Sequence, residues 1–485
     1  MASKINIKYL GLWMTVISLG MFQFGYGMGM FNNFVPIMFK IYENSNANVI
    51  ADSETFNSVV TTSVPLGAAI GSFTGGLLTS IGRRNGAFVA SVIIAVGAGV
   101  TMVFNFYALI IGRLILGYGC GAFSVISPLF ISETSPVEVA GAMGALNQFM
   151  VTFGIMISYF FGFLAPIKYI KGQEDNIDPA IFTTQSWRIV FIIPAFIALF
   201  QTIMLLLVFK HDTPTYYKQK GRKDLIEQID KLIYKEKDSE INTSVSMLSN
   251  GDNGKVPISQ LCGPMYRKAF VLVCTLALFS QLTGINLVIF YSSTIFTKGR
   301  DEGYESEMAG RIGTVIVGVV NWACSLFVIY LLSKFGRKTL MIVGHLGMIS
   351  SLLILAIMSI IGFSTGIIIF TLVFIAFFEF GIGPILWLYA AEVMTDSGMA
   401  FASFISWCGT IFFSLLTQQL FNWLTVKGTY FMLFGINAVG LLFIIIFIKE
   451  TKDKTKEQLA SLYSKYKNLD QNESKEDEED DEFTE

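Results

Sequence analysis

Charged residues are scarce. Asp, Glu, Lys and Arg make up 14% of the 485 residues, against about 25% in an ordinary soluble domain, so the chain lacks the polar side chains to clothe several soluble domains, and a soluble enzyme is excluded. Neither sign is in excess. The 34 basic and 36 acidic residues leave a formal net charge of −2, with no basic surplus to hold a polyphosphate, so no nucleic-acid partner is expected. Histidine occurs twice, as His211 and His345. Of five cysteines, Cys120, Cys274, Cys324 and Cys408 lie in apolar runs and Cys262 in a polar stretch, a distribution with neither a disulfide nor a zinc pattern. Without a Cys/His cluster, a nucleophile or an acid/base pair, the chain is expected to be no enzyme and to carry no metal or cofactor.

What is abundant is apolar: 53% of the residues are hydrophobic. They gather into stretches of about 20 residues, each long enough to cross a hydrocarbon core of about 30 Å. Twelve spans are expected: 9–31, 57–80, 86–105, 107–131, 141–164, 186–209, 267–292, 310–332, 339–361, 367–393, 399–421 and 427–448. The first is too long for a signal-peptide core and lacks a convincing small-residue cleavage site, so it reads as a membrane helix. Lys4 and Lys8 before it, Arg83 and Arg84 after the second span, and Lys334, Arg337 and Lys338 after the eighth place both termini in the cytosol. The long breaks on the other side, 32–56 and 293–309, carry no Asn-x-Ser/Thr acceptor.

Residues 210–266 differ in kind. They are Lys-rich, with Leu225, Ile229, Leu232 and Ile233 at helical spacing, and read as a cytosolic linker with amphipathic helix. A surface helix bridging two halves and a partner-binding segment both fit. The stretch 449–485 ends in NESKEDEEDDEFTE, too acidic to bury anything, and is expected to be a disordered cytosolic tail.

The chain also echoes itself. GRR at Gly82 returns as GRK at Gly336, Glu133 after span 4 as Glu392 after span 10, and HDTP at His211 as KETK at Lys449. Three echoes in the same order predict an all-α integral membrane protein of two parallel six-helix halves, with bundles at 1–209 and 267–448. That is a transporter architecture with its site near the bilayer midplane.

Polar residues inside the spans locate that site, because an ionised side chain at the bilayer centre costs at least about 2.5–3.5 kcal/mol. Arg113 and Glu379 are the two charges to explain. Trp387 follows Glu379 by a net rotation of about 80° and a rise of about 12 Å on a regular helix, so both can line one cavity. Gly381, Gly383 and Pro384 between them weaken the helix. Gln281 and Asn286 lie about 140° apart, and one cavity uses both only if Gly284 breaks the helix. Asn147, Gln148 and Asn321 add further amides; singly, such amides serve as inter-helix glue. Together with Glu379 as acceptor and Trp387 as an apolar face, they suit an uncharged polyol, whose hydroxyls donate and accept.

The motifs FGY at Phe24, GRR at Gly82, GR at Gly112, PLFISETSP from Pro128, QLTGIN from Gln281, GRK at Gly336, FFEFGIGPILW from Phe377 and KETK from Lys449 resemble the sugar porter family of the major facilitator superfamily, which contains the glucose facilitators. The resemblance runs nearly the whole length and implies the major facilitator fold. It further implies sugar contacts at Gln148, Ser280, Gln281, Asn286, Asn321, Glu379 and Trp387. Arg83, Arg84, Glu133, Arg337, Lys338 and Glu392 would form a cytosolic ion-pair network that breaks on inward opening. Part of that network departs from the family pattern, at Thr79, Ala140, Thr215, Ser333 and Met399. Ser280 stands for the first of two adjacent glutamines, and Ala277, Leu278 and Phe279 replace a glucose-associated QLS.

The family's proton symporters carry an Asp directly after FGY, where this chain has Gly27, so uniport of a hexose or polyol is expected over proton symport. A transporter-like nutrient receptor is the rival of another class. A multi-pass plasma-membrane protein, functional as a monomer, is expected, with the sugar and the lipid bilayer as its partners.

Overall fold

Inside hydrocarbon a backbone amide or carbonyl has no water to bond, so spanning segments become helices that satisfy their own backbone. The computed structural model follows that rule. It describes residues 5–45, 52–170, 173–234, 258–264, 266–297, 303–394, 396–452, 454, 458–459 and 462–463; the acidic end of the tail and residues 235–257 of the linker lie outside the described residues.

The first half holds α1 (Ile7–Gly29), α2 (Ser53–Ser80), α3 (Arg83–Val100), α4 (Phe106–Thr134), α5 (Val137–Phe161) and α6 (Ser186–Leu207). The second holds α7 (Arg267–Leu282), α8 (Ile285–Thr297), α9 (Tyr304–Lys334), α10 (Arg337–Ile361), α11 (Ser364–Phe380), α12 (Ile382–Val393) and α13 (Asp396–Phe447). The pairs α7/α8 and α11/α12 are each one interrupted crossing. Helix α13 is two crossings joined at Thr425, whose φ of 62° marks the reversal. Among the described residues ten segments are long and apolar enough to cross a membrane. The other two expected crossings, the second and third, are α2, rich in Ser, Thr and Gly, and α3, which opens on two arginines.

Some boundaries differ from the sequence expectation for local reasons. Helix α3 stops at Val100 rather than 105, because Asn105 turns away to cap α4, its side chain accepting from the N–H groups of Tyr107 and Ala108. The expected break 32–56 contains a 3₁₀ turn (Asn32–Phe34) and a helix (Val35–Asn44). Within the linker, Lys223–Ile233 is helical and buries Ile229 and Ile233, and its end holds the start of the chain, Asn6 N–H donating to Ile233 O at 2.7 Å.

The outside is apolar, and the largely apolar inside also holds polar groups. Leu77, Phe196, Leu207 and Ile446 are among the exposed residues, whereas Gln23 and Gln201 meet at 3.0 Å in the interior, Gln201 also bonding the Val16 carbonyl. With little hydrophobic gain available between helices in lipid, close approach supplies the packing. Helices α2 and α4 interlock through two small-residue ladders: a Cβ on Gly67 or Gly71 would lie 2.1 or 2.0 Å from the carbonyl oxygens of Leu114 and Tyr118. One on Gly117 or Gly121 would lie 2.2 or 2.0 Å from those of Val64 and Ala68. The halves meet along two seams, α2 against the first part of α13 and α5 against α9.

Gly71→Leu should therefore force α2 and α4 apart and abolish the monodisperse size-exclusion peak in detergent. Gly76→Leu, where a Cβ meets nothing within 4 Å, should leave that peak intact.

Candidate solute-binding site

The interruption in the seventh crossing gathers the first cluster. Helix α7 ends at Leu282, Gly284 takes a φ of 97°, and α8 restarts at Ile285. Glycine alone adopts this conformation without cost, and Asn437 supports the break by donating to the freed Thr283 carbonyl at 3.1 Å. The bend brings together two amides that a regular helix would hold apart: Asn286 Nδ2 donates to Gln281 Oε1 at 2.6 Å. Gln281 Nε2 donates to Ser406 Oγ at 2.7 Å and Ser280 Oγ at 3.1 Å, and Thr410 Oγ1 donates to Gln281 Oε1 at 3.1 Å. Ser280 and Asn286 are buried. Ser406 and Thr410, from α13, are members that sequence reasoning missed; their signal was a hydroxyl every helical turn in an apolar span.

The second cluster forms where the tenth crossing breaks. Gly381 separates α11 from α12 and lies against Gly344 of α10, where a Cβ would come within 2.6 Å of the Gly381 Cα. Just before the break Glu379, 1% exposed, accepts from Gln148 Nε2 at 3.1 Å through both carboxylate oxygens. This contact joins the halves, α5 to α11. A buried carboxylate with one amide partner retains acceptor capacity that hydroxyls can fill. Trp387, on α12 beyond the break, is half-buried. Asn321, 2% exposed on α9, has an Oδ1 without a partner among the described residues, the signature of a group awaiting a donor.

Other intramembrane polar residues have structural duties. Asn147 accepts from Ser18 and Ser127, at 3.3 and 2.7 Å, as glue within the first half. Arg113 is buried, its Nε donating to Val60 O at 2.9 Å and Ser63 Oγ at 3.2 Å, its guanidinium 5.3 Å from the Phe31 ring centre. Further hydrogen bonds tie the halves together, none of them foreseen: Thr62–Ser414, Ser124–Ser403 and Thr152–Ser325, each 2.9 Å. Near the ends of α1 and α5 farthest from the chain's N-terminus, Asn32 donates to Ile289 O at 2.7 Å and Tyr159 OH to the same carbonyl at 2.7 Å.

On the face bearing the termini, the internal repeat reappears in atomic detail. Arg83 pairs with Glu133 through Nε and Nη2 at 3.1 and 2.7 Å, and Arg337 with Glu392 in the same manner at 3.2 and 2.8 Å. Each pair stays within one half. Glu133 also accepts from the Thr213 hydroxyl. Asp212 accepts from the N–H groups of Arg83 and Arg84 at 3.0 and 3.1 Å, and Glu450 from those of Arg337 and Lys338 at 2.8 and 3.1 Å. Two carboxylates thus cap α3 and α10 alike. Arg84 donates to the carbonyls of Leu205 and Phe209, and Lys338 Nζ to that of Ile445, each cation facing the closing carbonyls of a helix.

Interrupted crossings lined by amides and a buried carboxylate, inside a bundle of two repeated halves, define a multi-pass membrane transporter rather than an enzyme. The chain belongs to the sugar (and other) transporter family, whose model matches residues 13–463. It is similar to Hexose transporter 1 of Plasmodium knowlesi, 29% identical over 91% of this chain and 90% of that one. It also resembles the glucose transporter GlcP of Staphylococcus epidermidis, 28% identical over 94% and 97%. In fold it matches the proton:xylose symporter XylE of E. coli bound to 6-bromo-6-deoxy-D-glucose, with a TM-score of 0.80 and 23% identity over 95% of this chain and all of that one.

Burial alone would raise the Glu450 carboxyl, but the N–H groups of Lys452, Arg337, Thr451 and Lys338 outweigh it and hold the group below its ordinary value of 4.5. Folding thus favours the ionised form, and the stability it contributes is present at neutral pH and lost as pH falls through the lowered value. Glu450→Gln should lower the melting temperature in detergent at pH 7, with a gap from the parent that narrows as pH falls through the lowered value; a gap that stays equal as the pH falls would remove the charge from the account.

Proposed function

We propose that the chain carries a hexose or related polyol across a membrane by alternating access, as a uniporter. The observation that carries this reading is the Gly284 break, which joins Gln281, Asn286, Ser406 and Thr410 into one set of paired donors and acceptors. Such groups match an uncharged polyol, because each hydroxyl both gives and receives a hydrogen bond. Glu379, Gln148, Asn321, Ser280 and Trp387 complete the site. Gln281, Asn286, Ser280, Ser406 and Thr410 bond one another, as do Gln148 and Glu379, and a sugar exchanges those bonds for its own at little net cost. The hexose and glucose carriers among the relatives support the substrate class.

Residues 1–209 and 267–448 rock against each other, with 210–266 as the connector and 449–485 as a tail. Both termini lie in the cytosol of a plasma-membrane protein that works as a monomer. Arg83, Arg84, Glu133, Arg337, Lys338 and Glu392, with Asp212 and Glu450, brace the cytosolic ends of the helices. Gly27 is the basis for uniport: α1 carries no carboxylate, so no group on it ties proton binding to sugar binding. A uniporter needs only millimolar affinity, about −4 kcal/mol, which keeps release fast.

Two measurements test this. In proteoliposomes with an inward proton gradient, a non-metabolised hexose analogue should equilibrate without accumulating and ignore a protonophore. Accumulation that collapses with the protonophore would convert the reading to symport, with Glu379 as the coupling group. Gln281→Leu removes a net contact of about 1 kcal/mol and leaves hydroxyls unpaired, so uptake should fall at least several-fold at normal expression; unchanged kinetics would take Gln281 out of the site.

A further inference from the structure

On the face opposite the termini, α9 begins at Tyr304 and carries Glu307 and Arg311 one turn apart. Both are buried, 8% and 2% exposed, and paired at 2.5 Å. An exposed pair at this spacing contributes little. This one is neither exposed nor confined to its helix. Arg311 Nη2 also donates to Pro166 O at 2.6 Å, and Nη1 donates to Ala165 O. The second carboxylate oxygen of Glu307 accepts from the Lys168 N–H at 2.7 Å. The second half thereby grips residues 165–168, which follow α5 in the first half.

The geometry suits a grip that is either made or fully released. A guanidinium has a rigid fork of donors, here divided between one carboxylate and two consecutive carbonyls, an arrangement that an ammonium group cannot copy. The carbonyls of Ala165 and Pro166 belong to a connection between the 3₁₀ turn Gly162–Leu164 and the strand Tyr169–Ile170. Toward the membrane centre lies the junction where Asn32 and Tyr159 bond Ile289 of α8, Asn32 also reaching Ser292 Oγ at 2.9 Å. The pairs Arg83–Glu133 and Arg337–Glu392 stay within their halves and can ride through a rocking motion intact; the Glu307–Arg311 grip cannot, because its partners lie in both.

We infer that Glu307 and Arg311 are the latch that holds the face opposite the termini closed, a positioning pair that must release residues 165–168 each time that face opens. This rests on the alternating-access reading above, though not on which solute is carried. The strength of the latch sets the balance between the two facing states, and weakening it shifts the population toward the state open on that face.

The test uses the full chain in lipid nanodiscs, with Ser292→Cys as a reporter beneath the latch and a maleimide as the probe, the chain without the reporter supplying the baseline. Glu307→Gln with Arg311→Met removes both charges and strands neither. Labelling of the reporter should then rise at least about fivefold. Arg311→Lys, which keeps the charge but not the fork, should give an intermediate rise. An unchanged labelling rate in the double variant overturns the inference. Should these variants fail to assemble, Lys168→Cys with Glu307→Cys decides: an oxidative cross-link there should stop transport, and a reductant should restore it. A cross-link that forms while uptake continues, or that does not form, overturns the latch. Labelling needs no substrate, so a failed hexose assay beside faster labelling would count against the substrate and not against the latch.

Discussion

Backbone hydrogen bonding in a medium without water is the constraint on which the rest of this structure depends. It makes the crossings helical and makes every interruption costly unless other groups take over the freed bonds. The seventh crossing breaks at Gly284 because glycine tolerates the required φ and Asn437 takes the loose carbonyl. The tenth breaks at Gly381 because Gly344 lets a neighbouring helix come close. Both breaks lie beside the polar side chains of the candidate site. That proximity has a cause: a broken helix turns side chains toward directions that a regular helix would forbid, and Gln281 with Asn286 is the clearest instance.

Within each half, close packing replaces the hydrophobic effect as the source of cohesion. The ladders of Gly67, Gly71, Gly117 and Gly121 bring α2 and α4 into backbone contact, and buried amides such as Gln201 and Asn147 add hydrogen bonds where lipid offers no competing partner. Between the halves aromatic contacts such as Phe73–Phe404 and Phe24–Trp407 run beside polar ones. Hydroxyl pairs, the Gln148–Glu379 and Asn422–Glu54 amide–carboxylate contacts and the Glu307 grip span the seams. Rigid halves joined by exchangeable hydrogen bonds are the mechanical requirement of a rocking carrier.

Charge is placed by the same logic at the ends. Asp212 and Glu450 each accept from two N–H groups opening a helix, and Arg83 and Arg337 each hold a carboxylate from the end of a neighbouring crossing. The two sites are built from the echoed segments and carry the same bonds in the same order. Duplication therefore extends beyond helix count to individual hydrogen bonds.

The sequence by itself determined the crossings, the duplication and the family, because apolar length, basic punctuation and short motifs are one-dimensional properties. It also nominated the breaks, since Gly284 and the Gly381–Pro384 segment stand out in otherwise helical runs. Which polar groups meet was a matter for the tertiary structure. Hydropathy cannot separate Asn147, which binds helices within one half, from Asn321, whose oxygen has no partner among the described residues, because both are amides in apolar spans and differ only in what packs against them. Ser406 and Thr410 joined the site, and Asn32 the junction between halves, for a related reason: their partners are far away in sequence. The Glu307–Arg311 pair looks like an ordinary surface pair on one helix until the fold brings the carbonyls of Ala165 and Pro166 against it.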